Sequence, residues 1–575
     1  MYYSVWAPRA ESSVEILVGS GRTRLIRGAR GRWSADVPAL VAGADYALSI
    51  DGGPPRPDPR SAHQPAGVDG LSRAVDHDEF RWTDADWPGI DLARSVLYEL
   101  HIGTFTGAGT FRGVIDRLDH VVSLGVDAIE LMPVVEFSGG RGWGYDGVDL
   151  WAPHSAYGGP DGLKDLINAC HAKGLGVILD VVYNHVGPAG NYLAEFGPYF
   201  DDRHLTNWGP GLNVDGPGSD EVRAFLVDNA LMWLRDYHLD GLRVDAVHAI
   251  VDESAQHILE KLSTAVADLS RLRGVPLWLI AESDLNAPRF VRAVANGGHG
   301  LAASWADEWH HAVHSVLTGE TSGYYTDFGT MSHVAKALRQ AWVYDGEYSV
   351  HRDRTHGRAP SGLSGEQFVV SVQNHDQIGN RAAGERLGAL TSIGRVRIAA
   401  ALLLTGPFVP LLFQGEEWAA STPFQYFTDH QDPELGKAVS QGRKSEFAYF
   451  GWRPEDVPDP QDEATFARSR LRWGELSSAE HAEMLAWYRS LIALRGNHPG
   501  LGCGPLGDVS VDFETDQQWL VMKRAVAGVA VGINLGESRV LRLAGEVLLS
   551  STSALENLGG GLLVLPPDSV VIVSS

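Results

Sequence analysis

The sequence predicts a multidomain chain built round a central (β/α)8 TIM barrel, with a β-sandwich before it and another after it. Three observations carry that expectation. From residue 94 onward, apolar strand-like runs alternate with helix-period segments eight times, the pattern of parallel strands covered by helices. At both ends of the chain the texture changes to short alternating strands cut by Gly and Pro, as in all-β domains. The length of 575 residues exceeds what one core fills, so several domains follow. The predicted boundaries are 1–90 for an immunoglobulin-like sandwich, 91–498 for the barrel and 499–575 for the last sandwich, with barrel insertions at 185–217 and 419–478.

Each element has its own warrant. "YYSVWAP" and "SVEILV" alternate in the first domain, and "GGPPRPDPR" at 52–60 reads as a proline-stiffened edge or linker. The barrel strands are expected within 95–100, 127–134, 176–184, 241–247, 276–283, 301–308, 367–376 and 408–418. Apolar residues at helical spacing predict helices over 111–124 and 161–173, the second stopped by Gly174. Ser219 is the expected N-cap of the next, with Asp220 and Glu221 at its positive end. A last helix is expected near 480–495, then strands in "QWLVMKRAV", "GVAVGINL" and "DSVVIVSS". An open doubly wound sheet is disfavoured because "GGRGWGYDG" holds no G-x-G-x-x-G opening a helix.

Composition narrows the partners. A net charge of −25, from 47 basic against 72 acidic residues, argues against nucleic acid and anionic membranes, which need clustered Lys and Arg. Two cysteines, Cys170 and Cys503, imply a reducing compartment and no disulfide framework. "MYYSVWAPRAESS" shows no signal-peptide pattern, and no apolar run reaches the ~20 residues of a membrane span. The expectation is a soluble cytoplasmic protein. Its 17 tryptophans offer faces for sugar rings as well as core.

The strand ends carry the chemistry. "DGLRVDAVHAI" (240–250) puts Arg243 and Asp245 two apart in an apolar run, hence on one strand face. Burying both costs several kcal/mol unless they are paired. The third strand ends in Asp180, Asn184 and His185, the fourth in Arg243, Asp245 and His248, the fifth in Glu282, and the seventh in His375 and Asp376. Singly, such an Asp reads as a turn or cap residue and such a His as packing. Together, on the rim where barrel active sites lie, three carboxylates suit glycoside cleavage: a nucleophile, a proton-holding acid and a stabiliser of the oxocarbenium-like transition state. Arg243 favours an ionised Asp245, and the apolar "LWLIAE" favours a protonated Glu282. No H-E-x-x-H occurs, so neither a catalytic metal nor a cofactor is expected.

"DVVYNH", "GLRVDAVH", "LIAES" and "VQNHDQIGN" resemble, in order, the four signature regions of the α-amylase family of retaining glycosidases. The resemblance implies Asp245 as nucleophile, Glu282 as acid/base and Asp376 as stabiliser, with Arg243, His185, His375 and Tyr145 binding the −1 sugar. Longer stretches at 57–72, 281–290, 305–329 and 413–447 resemble members that cut the α-1,4 bond beside a terminal trehalose unit. For those the substrate is a maltooligosyl trehalose, made by a partner synthase. A branching transferase on α-1,4-glucan is the alternative, and a non-catalytic glucan-binding module a third. Candidates for the trehalose side are His248, Glu308, His310, His311, Tyr324, Phe424, Tyr426, Phe427 and Asp429. Where calcium-binding members place a histidine four residues after the nucleophile, this chain has Ala249, so no structural calcium is expected. The assembly is expected to be a monomer or dimer.

Overall fold

Eight parallel strands close into a barrel in the computed structural model, which describes residues 1–206, 209–448 and 452–574. They are β1 (Leu97–Leu100), β2 (Ala128–Leu131), β3 (Gly176–Val181), β4 (Gly241–Val244), β5 (Trp278–Ala281), β6 (Ala303–Trp305), β7 (Phe368–Ser371) and β8 (Val409–Phe413). Each lies inside the run expected for it. The ring shuts where Leu411 of β8 pairs with Leu97 of β1.

Side chains two apart share a strand face, and that period sorts the barrel interior into layers. Leu97, Ala128, Ile178, Ile280, Ala303 and Val369 form a dry apolar layer. Two residues on, toward the strand C-termini, the same faces carry Glu99, Glu130, Asp180, Glu282 and Trp305. A TIM barrel is a packed core rather than a pore. Here the lower layer is the packing and the upper one the chemistry.

The covering helices follow the expected pattern with two differences. Residues 111–124 form two short helices, Phe111–Ile115 and Leu118–Leu124, separated at the non-helical Arg117. Phe111, Val114, Leu118 and Val121 are all fully buried, so the apolar stripe runs across the break. At the helix Ser219–Asp236 the cap is Gly218, not Ser219. Gly218 takes φ 83 and turns the chain sharply into the helix, which makes Ser219 the first helical residue with no side-chain cap. The helix Gly159–Ala172 ends as expected, with Gly174 at φ 79 just beyond it.

The N-terminal strands form a three-stranded and a four-stranded sheet around Trp6, Val14, Ile16, Trp33 and Leu48. In "GGPPRPDPR", Arg56 bridges antiparallel to Leu48, so the segment is an edge. Arg60 reaches Asp228 of the barrel at 2.9 Å and Arg56 reaches Glu195 of the first insertion at 2.7 Å. The C-terminal domain packs a five-stranded sheet on a three-stranded one. Its strand Ser569–Ser574 shows why the run is apolar on both faces: Val571 and Val573 fill the sandwich, while Val570 and Ile572 join the main core shared with the barrel helix Ile393–Thr405. The first insertion carries a hairpin (Phe200–Thr206 with Gly209–Leu212), the second the helices Pro433–Ala448 and Glu463–Ser469. No described helix is long and apolar enough to cross a membrane.

Candidate active site

Arg243 is fully buried on β4, and its guanidinium lies 4.3 Å from the centre of the Trp305 ring. Nη1 donates to Asp245 Oδ1 at 2.6 Å and to Asp180 Oδ2 at 2.8 Å, and Nη2 lies 3.9 Å from Glu282 Oε2. Asp245 and Asp180 therefore share one cation, with Glu282 close by, which is how the interior tolerates them. Asn184 donates its amide to Asp245 Oδ2 at 2.8 Å. Both oxygens of Asp245 are thus fixed, one by a donor on its own strand and one by a donor beyond the end of β3.

Ala246 follows with φ 39, in the left-handed region that alanine rarely enters. That turn aims its N–H at Glu282 Oε2, 2.7 Å away. A strained residue beside reacting groups is a recurrent signature of a functional site. Burial is the largest influence on Glu282 and raises its pKa, with Arg243 pulling the other way. Asp245 lies in direct contact with the guanidinium at 2.6 Å, whereas Glu282 stands 3.9 Å from it.

His375 stands on the opposite wall. Its Nδ1 donates to Glu99 Oε1 at 2.5 Å, and its backbone N–H donates to Glu99 Oε2 at 3.0 Å. Burial disfavours the imidazolium, but Asp376 and Glu99 outweigh it and hold the pKa at about 9. A doubly protonated ring then donates from Nε2 to the Tyr145 hydroxyl, 2.7 Å away, which in turn donates to Asp180 Oδ2 at 2.6 Å. The rings of Tyr145 and His375 stack with centres 5.2 Å apart. Asp180 is raised to about 7 by burial, against the pull of Arg243. His185 is buried, with Nε2 on the Tyr145 carbonyl at 3.0 Å, so it braces the tyrosine. Asp376 lies 3.4 Å from His375 Nε2 and accepts from Asn380 Nδ2 at 3.2 Å.

Several expected sugar-binding residues lie elsewhere. Glu308 is 4 % exposed, and one of its oxygens accepts from the N–H groups of Val343 and Tyr344, both at 2.7 Å. It is a cap for that loop rather than a wall of the pocket. Phe424 is fully buried, stacked on Trp143, and Phe427 is buried against Phe466. Both sit behind the pocket because an aromatic-rich loop packs on itself before it offers a face to solvent. Asp429 accepts from Gly140 N–H at 2.8 Å and pairs with Arg141 at 3.1 Å, fixing the loop that carries Trp143 and Tyr145. His310 is buried between the Val372 carbonyl and the Tyr325 hydroxyl, and His311 packs against Tyr324 and Phe328. His248 is exposed, 3.8 Å from Asp284.

The residues that sequence reading passed over are Glu99, Trp305 and Asn380. Glu99 had a signal: an acid inside "LYEL" has no place in a wholly apolar strand. Among the described residues, Asp201, His204 and Asp215 have metal-like spacing. Arg203 already pairs with both aspartates, at 2.9 Å to Asp201 and 2.6 Å to Asp215, so the carboxylates are engaged by a protein cation.

The barrel and its rim of carboxylates on one arginine define a protein of the α-amylase class. Residues 79–208 match the alpha amylase catalytic domain, and residues 505–572 match a domain of unknown function, DUF3459. The malto-oligosyltrehalose trehalohydrolase of Rhizobium sp. (strain M-11) is 48 % identical over 99 % of this chain and 97 % of its own length. That of Arthrobacter ramosus is 51 % identical, over 86 % of this chain and 87 % of its own. A crystal structure of a Salmonella typhimurium protein assigned as an alpha amylase superposes with a TM-score of 0.91 at 37 % identity, covering 100 % of this chain and 97 % of that one. This chain belongs to the malto-oligosyltrehalose trehalohydrolase family.

Proposed function

We propose that this protein hydrolyses the α-1,4-glucosidic bond next to the terminal trehalose unit of a maltooligosyl trehalose, releasing trehalose with retention at the anomeric carbon. The observation that carries the chemistry is the Arg243 guanidinium, which holds Asp245 at 2.6 Å and stands 3.9 Å from Glu282; the trehalose leaving group rests on the likeness to the trehalohydrolases. Asp245, oriented by Arg243 and Asn184, attacks the anomeric carbon. The bond to the leaving oxygen breaks as Glu282, kept protonated by burial, gives that oxygen its proton and frees trehalose. Glu282 is now a carboxylate and takes a proton from water, whose oxygen displaces Asp245 from the sugar. Asp376 stabilises the developing positive charge, and the His375–Tyr145 pair orients the ring at subsite −1. His248, exposed just after the nucleophile, is our candidate for the trehalose side. The substrate requires a prior intramolecular transfer that makes a 1,1-linkage at a glucan's reducing end. A reducing cytoplasm suits Cys170 and Cys503, which are both free.

Incubation with maltopentaosyl trehalose tests the activity. Free trehalose is expected as the main early product. Glucan with new α-1,6 branches and no trehalose would replace this reading with a branching transferase.

A further inference from the structure

The stretch "QGRKSEF" (441–447) lies in the second insertion, far along the chain from every catalytic candidate. The fold brings its Arg443, on the helix Pro433–Ala448, to the end of the short helix His375–Gly379 that carries Asp376. Arg443 Nη2 donates to the Gly379 carbonyl at 2.6 Å and to Asn380 Oδ1 at 3.2 Å. Asn380 Nδ2 donates to Asp376 Oδ1 at 3.2 Å. The guanidinium is itself seated 4.9 Å from the centre of the Tyr426 ring, which packs on Trp143.

The amide of Asn380 has a donor end and an acceptor end. A guanidinium is a donor only and a carboxylate an acceptor only, so one orientation satisfies both neighbours. The flipped amide sets oxygen against oxygen at Asp376 and N–H against N–H at Arg443. Arg443 and Asp376 together therefore fix which way Asn380 points. That matters because the Asp376 side chain is 40 % exposed and its other oxygen stands 3.4 Å from His375 Nε2, beyond a strong hydrogen bond. The last carbonyls of a helix lack internal partners, and the same guanidinium satisfies the one at Gly379.

We propose that Arg443 is a positioning residue for Asp376, acting through Asn380, so that the insertion after β8 sets the geometry of the transition-state stabiliser. The inference rests on the reading of Asp376 as that stabiliser. It accounts for why an insertion residue with no place in the barrel reaches the catalytic wall.

The test is steady-state kinetics on maltopentaosyl trehalose with the full chain. Arg443→Ala and Asn380→Ala are each expected to lower kcat by about 10- to 100-fold, the scale of a misplaced catalytic group, with KM changed less than about threefold. The double variant should fall no further than the worse single one, because both break one relay, and Arg443→Lys should recover part of kcat. If the alanine variant does not fold, Arg443→Gln takes its place. Effects that multiply in the double variant, or a raised KM with unchanged kcat, would overturn the proposal. Asp376→Asn separates the two readings. If it abolishes turnover while Arg443→Ala leaves kcat unchanged, the relay alone fails; if it leaves turnover intact, both fail.

Discussion

Ala246 holds a backbone conformation that costs alanine about 1–2 kcal/mol in order to aim one N–H at Glu282. Glycine adopts that conformation freely but loses more entropy on folding. Ala246→Gly is therefore expected to stay within about 1 kcal/mol of the parent by chemical denaturation and to keep its turnover. Ala246→Val should lose more than about 1 kcal/mol, and a valine variant as stable as the parent would show that the turn is unstrained. Glu282→Gln should cut kcat by about 10²–10⁴-fold while binding persists. The sign of its pH dependence follows from the raised pKa: the acid form is present below that pKa and lost as pH rises through it, so Glu282 sets the alkaline limb of kcat. Glu308 belongs to stability instead. Glu308→Ala strands the N–H groups of Val343 and Tyr344 and should cost about 1–3 kcal/mol per lost partner with KM unmoved; a large KM change would return it to the substrate. The sequence offered Asp245, Glu282 and Asp376 as candidates because acids gather at the ends of successive apolar strands and match the family's signature regions. It could not separate Glu308 and Phe424 from true pocket walls, since residue type alone does not say which way a side chain turns.

At the scale of elements, the loop carrying Tyr145 and the helix carrying Asp376 meet at Gly379. A Cβ there would lie 2.0 Å from the Trp143 ring, so no other residue lets the helix approach. Gly379→Ala should lower both stability and kcat, the stability loss being about 1–3 kcal/mol as for overpacked cores. Unchanged thermal unfolding and kcat would mean that the two elements are not packed this way. All eight barrel strands were legible from apolar runs, because a strand buried on both faces must be apolar throughout except where it does chemistry. Helix ends were less so. Ser219 has the composition of a cap, yet Gly218 makes the turn, because the tight entry beside Pro198 selects backbone freedom over a side-chain bond.

Across the whole molecule, buried titratable groups set the response to pH. Burial holds Glu416 at about 8, and Glu136, Asp180 and Glu308 at about 7, while Asp376 and Glu99 overcome burial to hold His375 at about 9. Above pH 6.5 the unfolded chain has released these protons and the folded chain still holds them. Stability must therefore fall as pH rises from 6.5 through about 9. Below 6.5 the signs conflict, because burial presses His101, His154 and His257 down to about 4 and favours the folded state as pH rises. Thermal unfolding should show a lower Tm at pH 9 than at pH 6.5, and a Tm that rises over that interval would contradict the assignment of these groups as proton-holding.

The sequence by itself determined the barrel and its flanking sandwiches and marked three carboxylates as candidates, because periodicity and the cost of a buried charge are local properties of the chain. Only the tertiary structure decided how that cost is met: one guanidinium shared by Asp180 and Asp245 with Glu282 close by, and one acid, Glu99, holding His375 from two strands along the ring. It also decided which residues of the long insertion turn inward, and it set Arg443 behind Asp376. Those relations join residues up to hundreds of positions apart, and no spacing rule reaches that far; they exist only once the strands close.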